Sequence, residues 1–240
     1  MIIGGGGGGF GNYIIFMIPG LLFSLWAQWK VKGTYARFAK VPNAAGVTGA
    51  QAARRVLDSN GLQGVPIEAI PGELTDHYDP RTRVLRLSQG VYGVNSIAAI
   101  GIAAHEAGHA IQHDKAYAPL KARTAIVPAA NISSKFSFLL IFGGLILNVA
   151  GLAWAGVALF AVATVFTLVT LPVEFDASSR AKKALIQVGL VDGGVGDRGE
   201  SKGVAAVLNA AAWTYVAAFA TSLLTLLYYV SMISGNGRRR

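Results

Sequence analysis

The 240-residue chain contains no cysteine, so disulfide bonds and cysteine-based zinc or redox centres are excluded. Charge is also scarce. Only 14% of the residues are Asp, Glu, Lys or Arg, against about a quarter in soluble domains, whereas 53% are hydrophobic. Part of the protein surface must therefore face something other than water.

Acidic residues are few as well, 12 against 21 basic ones, and the formal net charge is +9. An excess of Lys and Arg is typical of proteins that bind nucleic acid and of the cytoplasmic loops of membrane proteins. Here the basic residues flank the apolar stretches, and no nucleic-acid-binding motif occurs. We therefore expect a lipid bilayer, and no nucleic acid, as the partner of these charges.

Apolar segments long enough to cross a bilayer, which takes about 20 helical residues, occur in three regions. Residues 10–29 are uncharged and follow the glycine run Gly4–Gly9, which we expect to be a flexible tail. No charged residue lies between Lys135 and Glu174. That stretch would be about 57 Å long as one helix, so we expect two spans with a turn near residues 148–156. Residues 207–232 supply the last of about four transmembrane helices.

The basic residues also predict the orientation. The basic residues after the first span, before the second and after the third all fall on one side of a four-span chain. Because cytoplasmic loops are enriched in Lys and Arg, we expect that side to be cytoplasmic. Arg238–Arg240 at the C-terminus fall on the other side and run against this rule.

Between the first two spans the sequence predicts a small soluble region of helices and strands. Thr48 is a suitable N-cap for a helix that ends near Asn60. The segments "VPIEAI" and "RVLRLS" alternate like strands, and "PGELTDHYDPRT" between them reads as a turn-rich connection. Ser96 to about Asp114 reads as one long helix.

That last helix contains "AAHEAGHAIQH", residues 103–113, in which two histidines are four residues apart. Side chains at this spacing lie about 40° apart in projection and one helical turn apart, so His105 and His109 can bind one metal ion together. Glu106 emerges about 100° from His105, where it can reach a water on the metal without binding the metal itself. Zinc lowers the pKa of such a water to about 7, and the glutamate acts as general base. The structural alternative is a helix whose histidines only form hydrogen bonds in a core.

A catalytic zinc site needs a third protein ligand. His113 is excluded because it lies about 12 Å along the helix axis from His105. His77 is one candidate. Glu174 is the stronger one, because a carboxylate at the end of an uncharged span is unusual. Its alternative role is an acidic group near a helix N-terminus.

Other polar residues are candidates for supporting roles. Asp176 is a candidate for orienting a ligand histidine, although on a regular helix it points about 200° away from Glu174. Its alternative role is a capping carboxylate at a helix N-terminus. His77, Tyr78 and Asn131 are candidates for polarising the scissile carbonyl, and each has a structural alternative.

Four long strings resemble the YugP-type neutral zinc metallopeptidases, a family of bacterial membrane proteases. They are "GELTDHYDPRTRVLRLS", "SIAAIGIAAHEAGHAIQHDKAYAPLKARTAIVPAANI", "LPVEFDASSRA" and "VLNAAAWTYVAA", and they span most of the chain after the first apolar segment. The resemblance implies a multi-span membrane protein that binds zinc through His105 and His109 and uses Glu106 as base. More distantly the chain resembles the HtpX and CAAX-prenyl protease group. In that group a downstream glutamate completes the site and an aspartate four residues later supports it, whereas Asp176 follows Glu174 by two.

Two other functions are open at this point. A site-2-type intramembrane protease would use an aspartate from a Leu-Asp-Gly signature, for which "LVDGG" makes Asp192 the candidate, but the glycine-rich, charged residues that follow read as a surface loop. A non-enzymatic, zinc-dependent membrane scaffold would have no use for Glu106.

We therefore expect a mainly α-helical, multi-pass cell-membrane protein. It has about four transmembrane helices and a small α+β, zincin-like catalytic domain that faces the cytoplasm and carries one Zn²⁺ per chain. Its partners are a polypeptide substrate and the lipid bilayer; an oligomer or a membrane-protein partner is left unspecified. The expected segments are a tail and first span (1–29), a soluble catalytic region (30–134), a transmembrane hairpin (135–173), a third-ligand helix and loop (174–206), and a last span with a basic tail (207–240).

Overall fold

Long helices dominate the computed structural model, which describes residues 7–192 and 199–237. The elements in chain order are α1 Gly7–Phe38, α2 Gly49–Ser59, β1 Ile67–Ile70, β2 His77–Asp79, β3 Val84–Ser88, α3 Gln89–Tyr92, α4 Ile97–Asp114, α5 Ala118–Ile146, α6 Ala150–Gln187 and α7 Glu200–Gly237. A mostly helical protein with a small sheet was predicted, and this part of the prediction is confirmed.

Four of these helices, α1, α5, α6 and α7, are long and apolar enough to cross a membrane. The predicted number of spans therefore agrees with the described residues. The predicted turn in the uncharged stretch lies at residues 147–149, where Asn148 adopts a positive φ of 59°.

Two of the helices extend beyond the apolar spans that the sequence predicted. Helix α1 already includes Gly7–Gly9 and continues to Phe38, so the predicted glycine tail is partly helical; Gly4 to Gly6 lie outside the described residues. Helix α7 begins at Glu200, so the end of the predicted loop belongs to this helix, whereas residues 193–198 and Arg238–Arg240 lie outside the described residues. A helix can extend past the apolar part of its sequence, so charged and glycine residues next to an apolar run do not mark its ends.

The described chain divides into two compact units. One contains the chain up to Ala27, Ala122–Leu171 and the chain from Thr214; the other contains Gln28–Lys121 and Pro172–Trp213. The second unit includes α2, the sheet, α3 and α4, together with the parts of α6 and α7 within those ranges. All residues of the predicted metal site belong to this second unit.

Helix α2 begins and ends where the sequence predicted. The Thr48 hydroxyl accepts a hydrogen bond from the Gln51 backbone N–H, and the Gln51 side chain accepts one from the Thr48 N–H, which completes a capping box. Its apolar stripe is fully buried at Val56 and Leu57, and Asn60 ends the helix. The stripe faces the same hydrophobic core as much of α4.

The sheet has three strands in the order β1-β3-β2. Strands β1 and β3 are parallel, whereas β2 is antiparallel to β3 and pairs His77 with Arg86. The prediction that "PGELTDHYDPRT" is only a connection was wrong, because it contains β2. A strand of three residues is too short to show the alternation by which strands are recognised.

Helix α4 is buried along most of its length. Ser96 caps it by accepting a hydrogen bond from the Ala99 N–H, so the predicted start is confirmed. Ala and Gly occupy most of its buried positions, which allows neighbouring helices to approach closely. Of the two glycines in this helix, Gly108 packs more closely against its neighbour, since an added Cβ would lie 2.7 Å from the Ala177 carbonyl oxygen on α6.

Candidate metal centre

Helix α4 places His105 and His109 side by side. Their ring centroids are 4.8 Å apart with an interplanar angle of 83°, and each side chain is about one-eighth exposed. This is the geometry that an i, i+4 pair has on a regular helix.

Glu174 from α6 lies opposite the two histidines. Its Oε2 is 3.3 Å from His105 Nε2 and 3.5 Å from His109 Nε2, and its side chain is almost fully buried. Within the described residues these three form the group that could hold a metal ion, with all ligand atoms within 4.8 Å of one another.

The other proposed third ligands lie elsewhere. His77 is exposed, and its Nδ1 lies 2.9 Å from the Thr75 carbonyl oxygen. Asp192 is also exposed and does not belong to the group. His113, which the sequence excluded, has its Nδ1 2.9 Å from the Tyr78 hydroxyl.

The two histidine rings also have partners on their other nitrogens. His109 Nδ1 is 3.0 Å from the Gln112 side-chain oxygen, and His105 Nδ1 is 3.2 Å from the Ser178 hydroxyl. Neither partner was predicted from the sequence. Ser178 follows Glu174 by four residues, which is the spacing of the supporting aspartate in the HtpX and CAAX-prenyl protease group, so the resemblance contained a signal that pointed to this position.

Asp176 contacts Gln112 instead of a histidine. Its Oδ2 accepts hydrogen bonds from Gln112 Nε2 at 2.8 Å and from Arg180 Nε. Helix α6 is continuous here, so the irregular backbone that direct contact with a ligand histidine would require is not present. The link from Asp176 to His109 therefore passes through Gln112.

Glu106 is buried, with 8% of its surface exposed, and strand β2 holds one of its oxygens. The Tyr78 backbone N–H donates to Glu106 Oε2 at 3.0 Å. The Tyr78 hydroxyl forms the hydrogen bond with His113 Nδ1, and burial raises the pKa of this phenol. Asn131, the last candidate for polarising a carbonyl, is exposed and belongs to the other unit.

The chemistry of this group fits a zinc ion. Its separations of 3.3 and 3.5 Å between nitrogen and oxygen exceed the 2.7–2.9 Å that is usual for a charge-assisted hydrogen bond. They match the roughly 3.4 Å expected between two ligands of a tetrahedral zinc with bonds of about 2.1 Å. Two imidazoles and one carboxylate are also a donor set that catalytic zinc sites use.

The surroundings of His109 attract positive charge. Burial alone would lower the pKa of this imidazole, but the hydrogen bond to Glu174 and the charges of Glu106 and Glu174 hold the pKa above its usual value. The two carboxylates together carry the charge that one Zn²⁺ would neutralise.

Gly108 determines how closely α4 approaches α6 and therefore how closely the histidines approach Glu174. We expect G108A to destabilise the protein by about 1–3 kcal/mol, because the methyl group would overlap the Ala177 carbonyl. Zinc affinity should fall as well, since the two helices must separate. Thermal unfolding in detergent and zinc titration measure the two effects.

G101A is the matched control for this substitution. It lies on the same helix and brings the same gain in helix propensity, about 1 kcal/mol, but its Cβ would meet Val204 at an ordinary 3.5 Å. Equal behaviour of the two variants would contradict the close packing at Gly108.

Comparison with known proteins identifies the family of this chain. The model of a family described as "Putative neutral zinc metallopeptidase" matches residues 13–234. The chain belongs to this family. It is also 48% identical over 226 residues to the "Putative membrane protease YugP" of Bacillus subtilis (strain 168), which covers 94% of this chain and 98% of that protein. No solved structure matches the chain.

Membership of the zinc metallopeptidase family confirms the resemblance found in the sequence. The match begins within α1 and ends within α7, so it includes all four long apolar helices as well as the metal centre. The family description names zinc, and the group formed by His105, His109 and Glu174 is where the described residues offer a site for it.

Proposed function

We propose that this protein is a membrane-bound zinc metalloendopeptidase in which His105, His109 and Glu174 bind one Zn²⁺ per chain and Glu106 is the general base. The convergence of these three side chains, with Glu174 Oε2 3.3 Å from His105 Nε2 and 3.5 Å from His109 Nε2, carries the proposal. The small α+β unit that contains them then serves as a zincin-like catalytic domain.

A bound zinc ion would lower the pKa of a water molecule and polarise the carbonyl of the scissile peptide bond. Glu106 accepts the proton from the attacking water and delivers it to the leaving amine. The Tyr78 N–H holds Oε2 of this carboxylate, and the other oxygen makes no hydrogen bond within the described residues. One oxygen therefore fixes the orientation of the side chain while the other is available for the proton.

Tyr78 is better placed than His77 to polarise the carbonyl. Its backbone is already bonded to Glu106 and its hydroxyl is oriented by His113. The His77 ring is exposed and bonded to its own loop. Tyr78 is therefore the residue that we assign to this role.

The location of the protein limits its substrates. The four apolar helices and the name of the Bacillus relative support attachment to a membrane. Polypeptide segments of membrane proteins, or of proteins at the membrane surface, are therefore the substrates that we propose. The distribution of Lys and Arg favours a catalytic unit on the cytoplasmic side.

Metal removal tests this function directly. We expect a chelator to abolish cleavage of an unfolded, fluorescein-labelled casein by the detergent-purified protein, and one equivalent of zinc to restore it. The reason is that neither the histidines nor Glu106 can generate the nucleophile without the ion. Zinc content, measured by atomic emission on the same samples, should follow the activity, and cleavage that persists in fully metal-free protein would contradict the proposal.

A further inference from the structure

Gln112 is the most deeply buried polar side chain beside the metal centre. It follows His109 by three residues on α4, and none of its surface is exposed. A buried primary amide must find partners for two N–H groups and one oxygen, because each unsatisfied group carries a desolvation cost. The partners that Gln112 has determine which way the amide faces.

Two acceptors surround the amide nitrogen. Gln112 Nε2 lies 2.8 Å from the Val173 carbonyl oxygen and 2.8 Å from Asp176 Oδ2. Neither of these atoms can donate, and the opposite orientation of the amide would place its oxygen against both. The side-chain oxygen must therefore face His109 Nδ1, at 3.0 Å.

This orientation dictates the tautomer of His109. Because Gln112 offers only an acceptor, His109 Nδ1 must carry the hydrogen. In the neutral ring Nε2 is then unprotonated, and Nε2 is the nitrogen that faces Glu174. The amide thus leaves the nitrogen that points into the centre free to bind a metal.

The same amide connects the two helices that supply ligands. Its donors reach Val173 and Asp176, which flank Glu174 on α6, while its acceptor holds the histidine on α4. Arg180 bonds to Asp176 and lies with its Cζ 5.6 Å from the Tyr117 ring centroid, which holds the carboxylate in place. Asp176 therefore acts on His109 through Gln112.

We propose that Gln112 is a positioning residue that fixes His109 in the Nδ1-protonated tautomer and sets its distance from Glu174, so that the centre binds zinc tightly. This inference rests on the proposed zinc site. Ser178 cannot fix the tautomer of His105 in the same way. Its hydroxyl can rotate to donate or to accept, so this contact is compatible with either tautomer.

The test compares the full-length wild type with Q112M and Q112E, and with the double variant Q112E/D176N, in detergent. Q112M keeps the length of the side chain but removes both functions of the amide, so we expect a 10- to 100-fold lower zinc affinity, about the cost of losing such a partner elsewhere. Q112E alone places two carboxylates together and should also weaken binding. In the double variant the carboxylate introduced at position 112 accepts from His109, and the amide introduced at position 176 donates to that carboxylate. The Val173 carbonyl still lacks its donor, so only part of the affinity should return.

Three readouts separate positioning from a merely structural effect. Zinc affinity is measured by chelator competition, the ligand field by the visible spectrum of the cobalt-substituted protein, and the tautomer by the ¹⁵N shifts of His109 in metal-free protein. We expect the cobalt spectrum and the tautomer ratio to change in Q112M and to recover in part in the double variant. S178A is the matched control and should leave the His109 shifts unchanged.

The inference would be overturned if Q112M had the same zinc affinity, the same cobalt spectrum and the same His109 tautomer as the wild type. If Q112M does not fold, Q112L is measured instead, because it also removes both functions of the amide, and unchanged His109 shifts in Q112L would overturn the inference equally. Failure of the wild type to bind zinc would overturn the proposed function, whereas the His109 shifts would still test the role of Gln112.

Discussion

Replacing Glu106 by glutamine is expected to reduce kcat about 1,000-fold, equivalent to about 4 kcal/mol of transition-state stabilisation, while one zinc ion per chain stays bound. The amide has the same shape as the carboxylate, and its oxygen can still accept the hydrogen bond from the Tyr78 N–H. It cannot accept a proton from water at neutral pH. Peptide cleavage by E106Q, beside its zinc content and melting temperature, measures the effect.

This variant also separates an enzyme from a scaffold. A protein that uses zinc only to hold its structure has no need of a base beside the metal, so E106Q would then keep its cellular function. We expect instead that E106Q fails to complement a deletion strain although it is folded and zinc-loaded. Full activity of E106Q in cleavage or complementation would rule out the proposed role of Glu106.

Loss of Glu174 is expected to have the largest effect on the metal. E174A leaves two imidazoles as the protein ligands, and zinc affinity should fall by more than about 100-fold, since even the loss of a supporting partner costs about 10- to 100-fold. H105A and H109A should lose zinc as well. Each of these two variants also leaves a buried carboxylate with one partner fewer, so they should unfold more easily than E174A. Metal content and thermal unfolding are measured together.

D192A and H77A are the matched controls for E174A. Each removes a side chain that the sequence offered as a third ligand but that is exposed and lies outside the group. Both proteins should retain zinc and activity. Loss of zinc in D192A with retention in E174A would instead support a site-2-type protease.

Patterns that are local in the sequence predicted much of this structure. The capping residues Thr48 and Ser96 predicted the starts of α2 and α4, because a cap acts within one helical turn. The long uncharged stretch predicted the two helices on either side of Asn148. Glu174 was proposed as a ligand because a carboxylate after such a stretch is unusual, and the structure brings it within 3.5 Å of both histidines.

Contacts between distant segments could not be predicted in this way. Gln112 is an ordinary helix residue until Val173 and Asp176 are brought beside it. Strand β2 is too short for a periodic pattern, and its contact with Glu106 is made by a backbone N–H, which every residue except proline possesses. The residues that hold the side chains of the candidate site in place could not be recognised in the sequence, because their role depends on how α4 and α6 pack.

The position of Glu174 on α6 has a consequence during synthesis. His105 precedes Glu174 by 69 residues, so a ribosome that adds about 5–20 residues per second needs several seconds to pass from one to the other. Throughout that interval the nascent polypeptide carries both imidazoles and Glu106 but lacks the third donor. If Glu174 is the third ligand, as proposed, the zinc centre is completed only after the third long apolar helix has been translated, and the peptidase cannot act before then.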